Sequence, residues 1–192
     1  MIDTRPDLAG ASRLAAAWAF GYGVYRWYYA QGGTVGMLGT PRSHADWIRI
    51  NAIAGVLLFV SALLPLLVLR AWSNRRAQPL LLTIAWIIAV GCSTHALIGI
   101  PQRIASLAGV LTIEYPFWES IDSRMADLQA LFFNEPWFLG EGLLWGGIAR
   151  SGALRDSTGK KWWIGSAVGA TLVLTVIGLL SVFGVIGRWV VG

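Results

Sequence analysis

Long apolar runs alternate with short polar joints along this chain. Five runs are close to the roughly 20 residues that a helix needs to cross a bilayer: Ser12 to Ala30, Trp47 to Leu69, Ala77 to Ile100, Leu128 to Ala149 and Trp162 to Ile186. The pattern predicts an all-α fold, a polytopic transmembrane helix bundle of about five spanning helices forming a single domain over residues 1–192. Trp27, Tyr28, Tyr29, Trp47, Trp72, Trp162, Trp163 and Trp189 fall at the ends of these runs. Amphipathic rings favour the headgroup level, so they support the boundaries independently of hydropathy.

Residues 101–127 fit none of the five. "IASLAGVLTI" is apolar but short. Three dispositions are open: a third helix prolonged past a kink at Pro101, an interfacial helix, or a re-entrant segment. The last is tolerated only where protein or water satisfies the backbone. Tyr115-Pro116 and "ESIDSRMAD" then mark a loop, with Ser120 or Asp122 placed to cap a following turn.

The polar residues inside the runs agree in depth. Arg26 lies near one end of the first run and Asn51 one turn into the second. His95, Gln102 and Arg103 lie at the matching end of the third, and Gln129, Asn134, Glu135 and Glu141 in the matching half of the fourth. Independent polar residues would have no reason to share one leaflet, so a common cavity is expected there. Helical spacing puts Cys92, His95, Gly99 and Gln102 on one face, and Asn134, Trp137, Phe138, Glu141 and Trp145 on another. Tyr22, Arg26 and Tyr29 form a third stripe. Pro136, inside the fourth run, removes a hydrogen bond and frees a carbonyl.

Glu141 is the sharpest of these. A carboxylate near mid-bilayer costs about 2.5–3.5 kcal/mol by insertion scales, and such residues mark functional sites by default. The expected catalytic set is Glu141 as acid, His95 as its partner, and Glu135. The expected ligand-binding set is Arg26, Tyr22, Asn51, Gln102, Gln129 and Asn134, walled by Trp137 and Trp145. The blander reading is a structural network, in which Arg26 neutralises Glu135 or Glu141 and polar groups hold helices together. Gly142 and Gly146, and Gly165 and Gly169, have the G-x-x-x-G spacing of close helix packing.

Composition narrows the class. Of 192 residues, 56% are hydrophobic and only 13% are charged, against about 25% charged in soluble domains. Such a surface suits lipid. The net charge of +5 reads as loop residues that set orientation, and nucleic acid is not an expected partner. With the N-terminus in the cytoplasm, nine of the fifteen Lys and Arg collect on the inner side, and the positive-inside rule favours that orientation in the cell membrane. The first run holds Arg26 and several tyrosines and ends without an A-x-A-like site, so the first span is expected to be retained.

Several chemistries drop out. No lysine lies inside a run, which removes a retinal-type Schiff base. Of two histidines, His44 lies in a loop, which argues against a bis-His haem. There is no P-loop or cysteine cluster; the single cysteine, Cys92, cannot close an intrachain disulfide. No cofactor and no metal is expected.

Two stretches, "YRWYYAQGGTVG" (Tyr25 to Gly36) and "DLQALFFNEPWFLGEGLLWG" (Asp127 to Gly146), resemble an uncharacterised family of small bacterial, mostly actinobacterial, multi-pass membrane proteins classed as a domain of unknown function. There an aromatic helix ends in a Gly-Gly-Thr-like turn, matched here by Trp27, Tyr28 and Tyr29 before Gly32, Gly33 and Thr34. The resemblance implies a bacterial origin and a membrane location and supplies no activity.

The leading expectation is an integral membrane protein binding a lipid-like or isoprenoid-like small molecule, with acid-initiated isomerisation or cyclisation as the chemistry if it is an enzyme. Membrane lipids and that hydrophobic small molecule are the expected partners, with a homodimer or a membrane-complex partner as a further option. The rival readings are a proton-coupled transporter, and an accessory or assembly subunit whose polar network is purely structural.

Overall fold

The computed structural model describes residues 5–71, 74, 76–152 and 157–186, without the side chains of 5–7, 152 and 157–160. Of the boundary aromatics, Trp72 and Trp189 lie outside the described residues; of the fifteen Lys and Arg counted for orientation, so do Arg75, Arg155 and Arg188 and the side chains of Arg5 and Lys160. Helices occupy all five apolar runs. In chain order the elements are α1 (Arg5–Ala30), β1 (Gly39–Pro41), α2 (His44–Ala71), α3 (Gln78–Leu107), β2 (Trp118–Ile121), α4 (Ser123–Gln129), a π-turn (Ala130–Asn134), α5 (Glu135–Gly152) and α6 (Ser157–Val182). The fold is all-α. Among the described residues, three helices are long and apolar enough to cross a membrane: α2, α3 and, over Lys161–Val182, α6.

The helices pack in the spatial order α2, α1, α5, α3, α6. Small residues set the closest approaches. A methyl group added at Gly23 would sit 2.8 Å from the Phe59 ring, which lets α2 lie tight on α1. One added at Gly142 would strike the Ser93 hydroxyl and lie 2.9 Å from its backbone nitrogen, so α5 lies equally tight on α3. Gly146, Gly165 and Gly169 have open space at that position. Of the four glycines with G-x-x-x-G spacing, Gly142 alone therefore sits at a tight contact, and α6 meets α3 instead through Gly178 against Ile98.

The buried core gathers at one end. Leu8 and Ala15 of α1, Val68 of α2, Ala85 and Ala89 of α3, and Trp145 and Ile148 of α5 pack together there. The opposite end is looser, more aromatic and more polar. The helix α3 continues through Pro101 to Leu107 and stops at Gly109, whose φ of +73° favours glycine. The chain then returns through β2, which pairs antiparallel with β1, Gly39 opposite Ile121 and Pro41 opposite Trp118. This small ribbon ties the loop after α1 to the loop after α3. Asp122 caps α4 by accepting from the Met125 N–H at 3.0 Å, as its position predicts.

The π-turn was not legible in the hydropathy pattern. It ends two residues before Pro136. A proline inside a helix lacks an N–H and its ring crowds the carbonyl four residues back, here Phe132. A wider turn accommodates both, and π-turns cluster at functional sites.

Candidate functional site

A cavity of about 220 Å³ occupies the polar end of the bundle. The helix α1 contributes Tyr25, Arg26 and Tyr29 to its wall, and α2 and α3 contribute Trp47 and Arg103. Gln129, Ala130 and Asn134, from α4 and the π-turn, form another side. Met37 and Leu38 in the loop after α1, with Trp118 of β2, complete the wall. Two arginines line this space and no carboxylate does.

Arg26 is held by neutral groups. Its guanidinium donates to the Tyr22 hydroxyl at 3.1 Å and to Asn51 Oδ1 at 3.3 Å, and lies 5.2 Å from the Tyr22 ring centre. Tyr22 is one helical turn before Arg26, which is why the sequence stripe brings them together. Asn51 is fully buried and donates its amide to the Trp47 carbonyl at 2.9 Å. The Tyr22 hydroxyl donates in turn to Asn134 Oδ1 at 3.2 Å. A connected chain thus runs from α2 through Arg26 to the π-turn. Gln129 adds a bond to the Tyr25 hydroxyl at 3.3 Å.

Arg26 therefore does not neutralise Glu135 or Glu141. Asn51 and Tyr22 hold its guanidinium between α1 and α2. The π-turn precedes Glu135, whose carboxyl lies against α3, over Gly99, where a methyl group would collide with it. There Glu135 Oε2 stands 3.6 Å from His95 Nε2, beyond hydrogen-bond reach, and this oxygen is buried without a hydrogen-bond partner. The His95 ring packs on Phe138, with centres 4.2 Å apart. His95 thus has Glu135 as its carboxylate neighbour, where Glu141 was expected.

Glu141 sits further along α5. Its Oε1 accepts from the Trp145 indole at 2.8 Å, and its Oε2 is buried without a partner. Trp145 belongs to the core cluster, not to the cavity wall. Trp137 is stacked on Trp18, with centres 4.3 Å apart, and its carbonyl accepts from the Trp18 indole at 3.0 Å. Gln102 is half-buried on α3 and does not line the cavity. Of the eleven predicted site residues, Arg26, Gln129 and Asn134 line the cavity; Tyr22 and Asn51 hold Arg26 from behind. His95 with Glu135 forms one separate group between α3 and α5, and Glu141 with Trp145 another along α5 itself. The single shared pocket expected from common depth is thus divided.

The sequence also hid a second cluster. Asp127, buried at the end of α4, accepts from Arg103 at 3.1 Å, Tyr115 at 2.7 Å and Ser106 at 2.6 Å. Tyr115 also accepts from Arg103 at 2.9 Å. Burial, and next the bond to Asp127, pushes the Tyr115 phenol up to about 12, so it stays a donor at neutral pH. Arg103 thus reaches the cavity with its charge already matched. Asp127 lay in a run that reads as loop, and nothing local signals a partner 24 residues away. In the sequence Trp47 marks only a helix boundary. Its ring packs on Tyr29 and Trp118, and its indole Nε1 is buried with no partner.

A second cavity, of about 340 Å³, lies at the core end between α3, α5 and α6, walled by Trp86, Gly146, Trp163 and Val168 with Arg150 at its edge. Among the described residues, no group of three or more His, Cys, Asp or Glu is placed to hold a metal ion. No protein-family model matches the chain, and no curated protein or solved structure is significantly similar to it.

Proposed function

We propose that this chain is a five-span protein of the bacterial cell membrane, N-terminus in the cytoplasm, that binds the polar head of a lipid-like or isoprenoid-like molecule in its extracytoplasmic half. One observation carries the reading: a polar cavity, lined by groups from four helices, the π-turn and two loops, at one end of an otherwise apolar bundle. Its volume, about 220 Å³, is below the roughly 300–1,000 Å³ of pockets that take whole drug-sized ligands. It suits a head group, with the tail left among the apolar side chains or the acyl chains outside. Exposed Ile50, Ile53 and Leu57 on α2 and Ile104 on α3 give such a tail an apolar surface near that end.

The geometry supports binding over acid-initiated conversion. Neither Glu141, His95 nor Glu135 lines the cavity, so a head group held there meets no carboxylic acid. In this reading α1 and α5 are the two remaining spans, carrying the polar groups that build the site.

A single cysteine in place of Met37, with Cys92→Ala, tests orientation and binding together. An impermeant thiol reagent should label it in intact cells, while a cysteine in place of Asn74 should stay unlabelled. In purified protein, a crude extract of membrane lipids should slow the labelling at position 37 several-fold. Labelling of position 74 in place of 37 overturns the orientation, and labelling at 37 that ignores the lipid extract overturns the binding.

A further inference from the structure

The cavity wall has unequal polarity. Its charged lining consists of Arg26 and Arg103. Arg103 is matched by Asp127 behind it. Among the described residues Arg26 has hydrogen bonds to a phenol and an amide oxygen and no carboxylate within ion-pair distance. A guanidinium at this depth is costly without one. The second observation is independent of that charge. Trp47 Nε1 is a donor with no acceptor, sealed from solvent, on a residue that lines the same cavity. An indole N–H is donor only, and a buried donor left unpaired forfeits about 1–3 kcal/mol. A charge without a counter-charge and a donor without an acceptor, on two different helices, call for the same chemistry: an oxyanion.

We infer that the cavity takes an anionic head group, a phosphate or carboxylate, with Arg26 as its counter-charge and Trp47 Nε1 as a neutral donor. The inference rests on the head-group reading above and names its ligand class. Tyr22 and Asn51 are positioning residues: they fix the guanidinium and leave its remaining N–H groups for the ligand, since a guanidinium has five. Arg103 and Tyr115, engaged with Asp127, shape the wall and add little net charge. The aromatic remainder, Tyr25, Tyr29 and Trp118, excludes water, which strengthens the electrostatic interaction.

The test compares three probes on the full-length protein in dodecyl maltoside: 1-oleoylglycerol, its phosphate monoester, and inorganic phosphate. The phosphate monoester should bind about ten- to a hundredfold more tightly than the glycerol, the range expected of a charge-assisted hydrogen bond. Arg26→Gln should bring the ester down to the level of the glycerol. Trp47→Phe, which keeps an aromatic ring against Tyr29 and Trp118, should reduce the ester's advantage about fivefold or more, as loss of one buried hydrogen bond does. If Arg26→Gln does not accumulate, Trp47→Phe decides. Equal binding of ester and glycerol to the wild type overturns the anion and leaves the head-group reading standing. Binding of neither, with no inorganic phosphate bound, overturns both. Inorganic phosphate binding as tightly as the ester keeps the anion site and overturns the lipid-like ligand.

Discussion

Asp127 shows how much of this site depends on single side chains outside the apolar runs. Its carboxylate accepts three hydrogen bonds, from Arg103, Tyr115 and Ser106, and its side chain is 3% exposed. Asp127→Asn leaves the Arg103 charge unmatched, and breaking a buried pair on one side costs about 3–5 kcal/mol. Ser106→Ala removes one bond and should cost about 1 kcal/mol. Thermal unfolding in detergent should rank the two in that order, and equal effects would mean that Arg103 does not need its partner. Tyr115 adds a pH dependence. Its pKa is raised from the ordinary 10 to about 12, so the folded state favours the neutral phenol. Its contribution to stability is complete below pH 10 and is lost as pH rises through 12. The tyrosinate absorbance that disappears in Tyr115→Phe should therefore titrate near pH 12, and titration near 10 would contradict its burial. Arg26 was legible as a charge inside an apolar run; its partners were not. Helical spacing brings Tyr22 to it, but Asn51 comes from another helix and depends on the packing of α1 on α2.

At the scale of elements, apolar run length located the five long helices, because about 20 apolar residues have few other stable arrangements, but not α4 (Ser123–Gln129), which begins in the polar stretch that reads as loop. The β1–β2 ribbon escaped it, since Gly39–Pro41 and Trp118–Ile121 are short and pair across a long stretch of intervening chain. The π-turn escaped it too, and with it the direction of Glu135. Rotating that side chain onto α3 separates His95 and Glu135 from the cavity. The glycines on α5 test whether close packing is read correctly. Gly142→Ala places a methyl group on Ser93 and 3.1 Å from the Ala89 carbonyl oxygen, against backbone that cannot give way. It should destabilise by about 1–3 kcal/mol, the usual cost of overpacking. Gly146→Ala meets nothing within 4 Å, and alanine's better helix propensity should leave it neutral or stabilise it by up to about 1 kcal/mol. Melting temperatures that move together would show that α5 does not lie on α3 through Gly142.

At the scale of the whole molecule, the bundle divides its work between two ends. Apolar side chains and small residues close one end around Trp145 and Ile148; arginines, tyrosines and a proline-linked turn hold the other open around a cavity. The sequence announced that asymmetry through the shared depth of its polar residues. It did not announce which of them face one another, because depth along a helix is one coordinate and rotation about its axis is another. Glu141 shares the half, but its carboxyl is bonded to the core tryptophan, Trp145. The central claim is that the cavity is where this protein holds a small molecule. Native mass spectrometry of the protein extracted gently from its own membranes tests it most directly, when paired with Met37→Trp. Met37 lines the cavity from a loop, so the larger ring fills the space without disturbing helix packing. The wild type should retain a bound amphiphile that the variant lacks, at unchanged melting temperature. Retention of the same molecule by both proteins would place it elsewhere on the bundle and contradict the account.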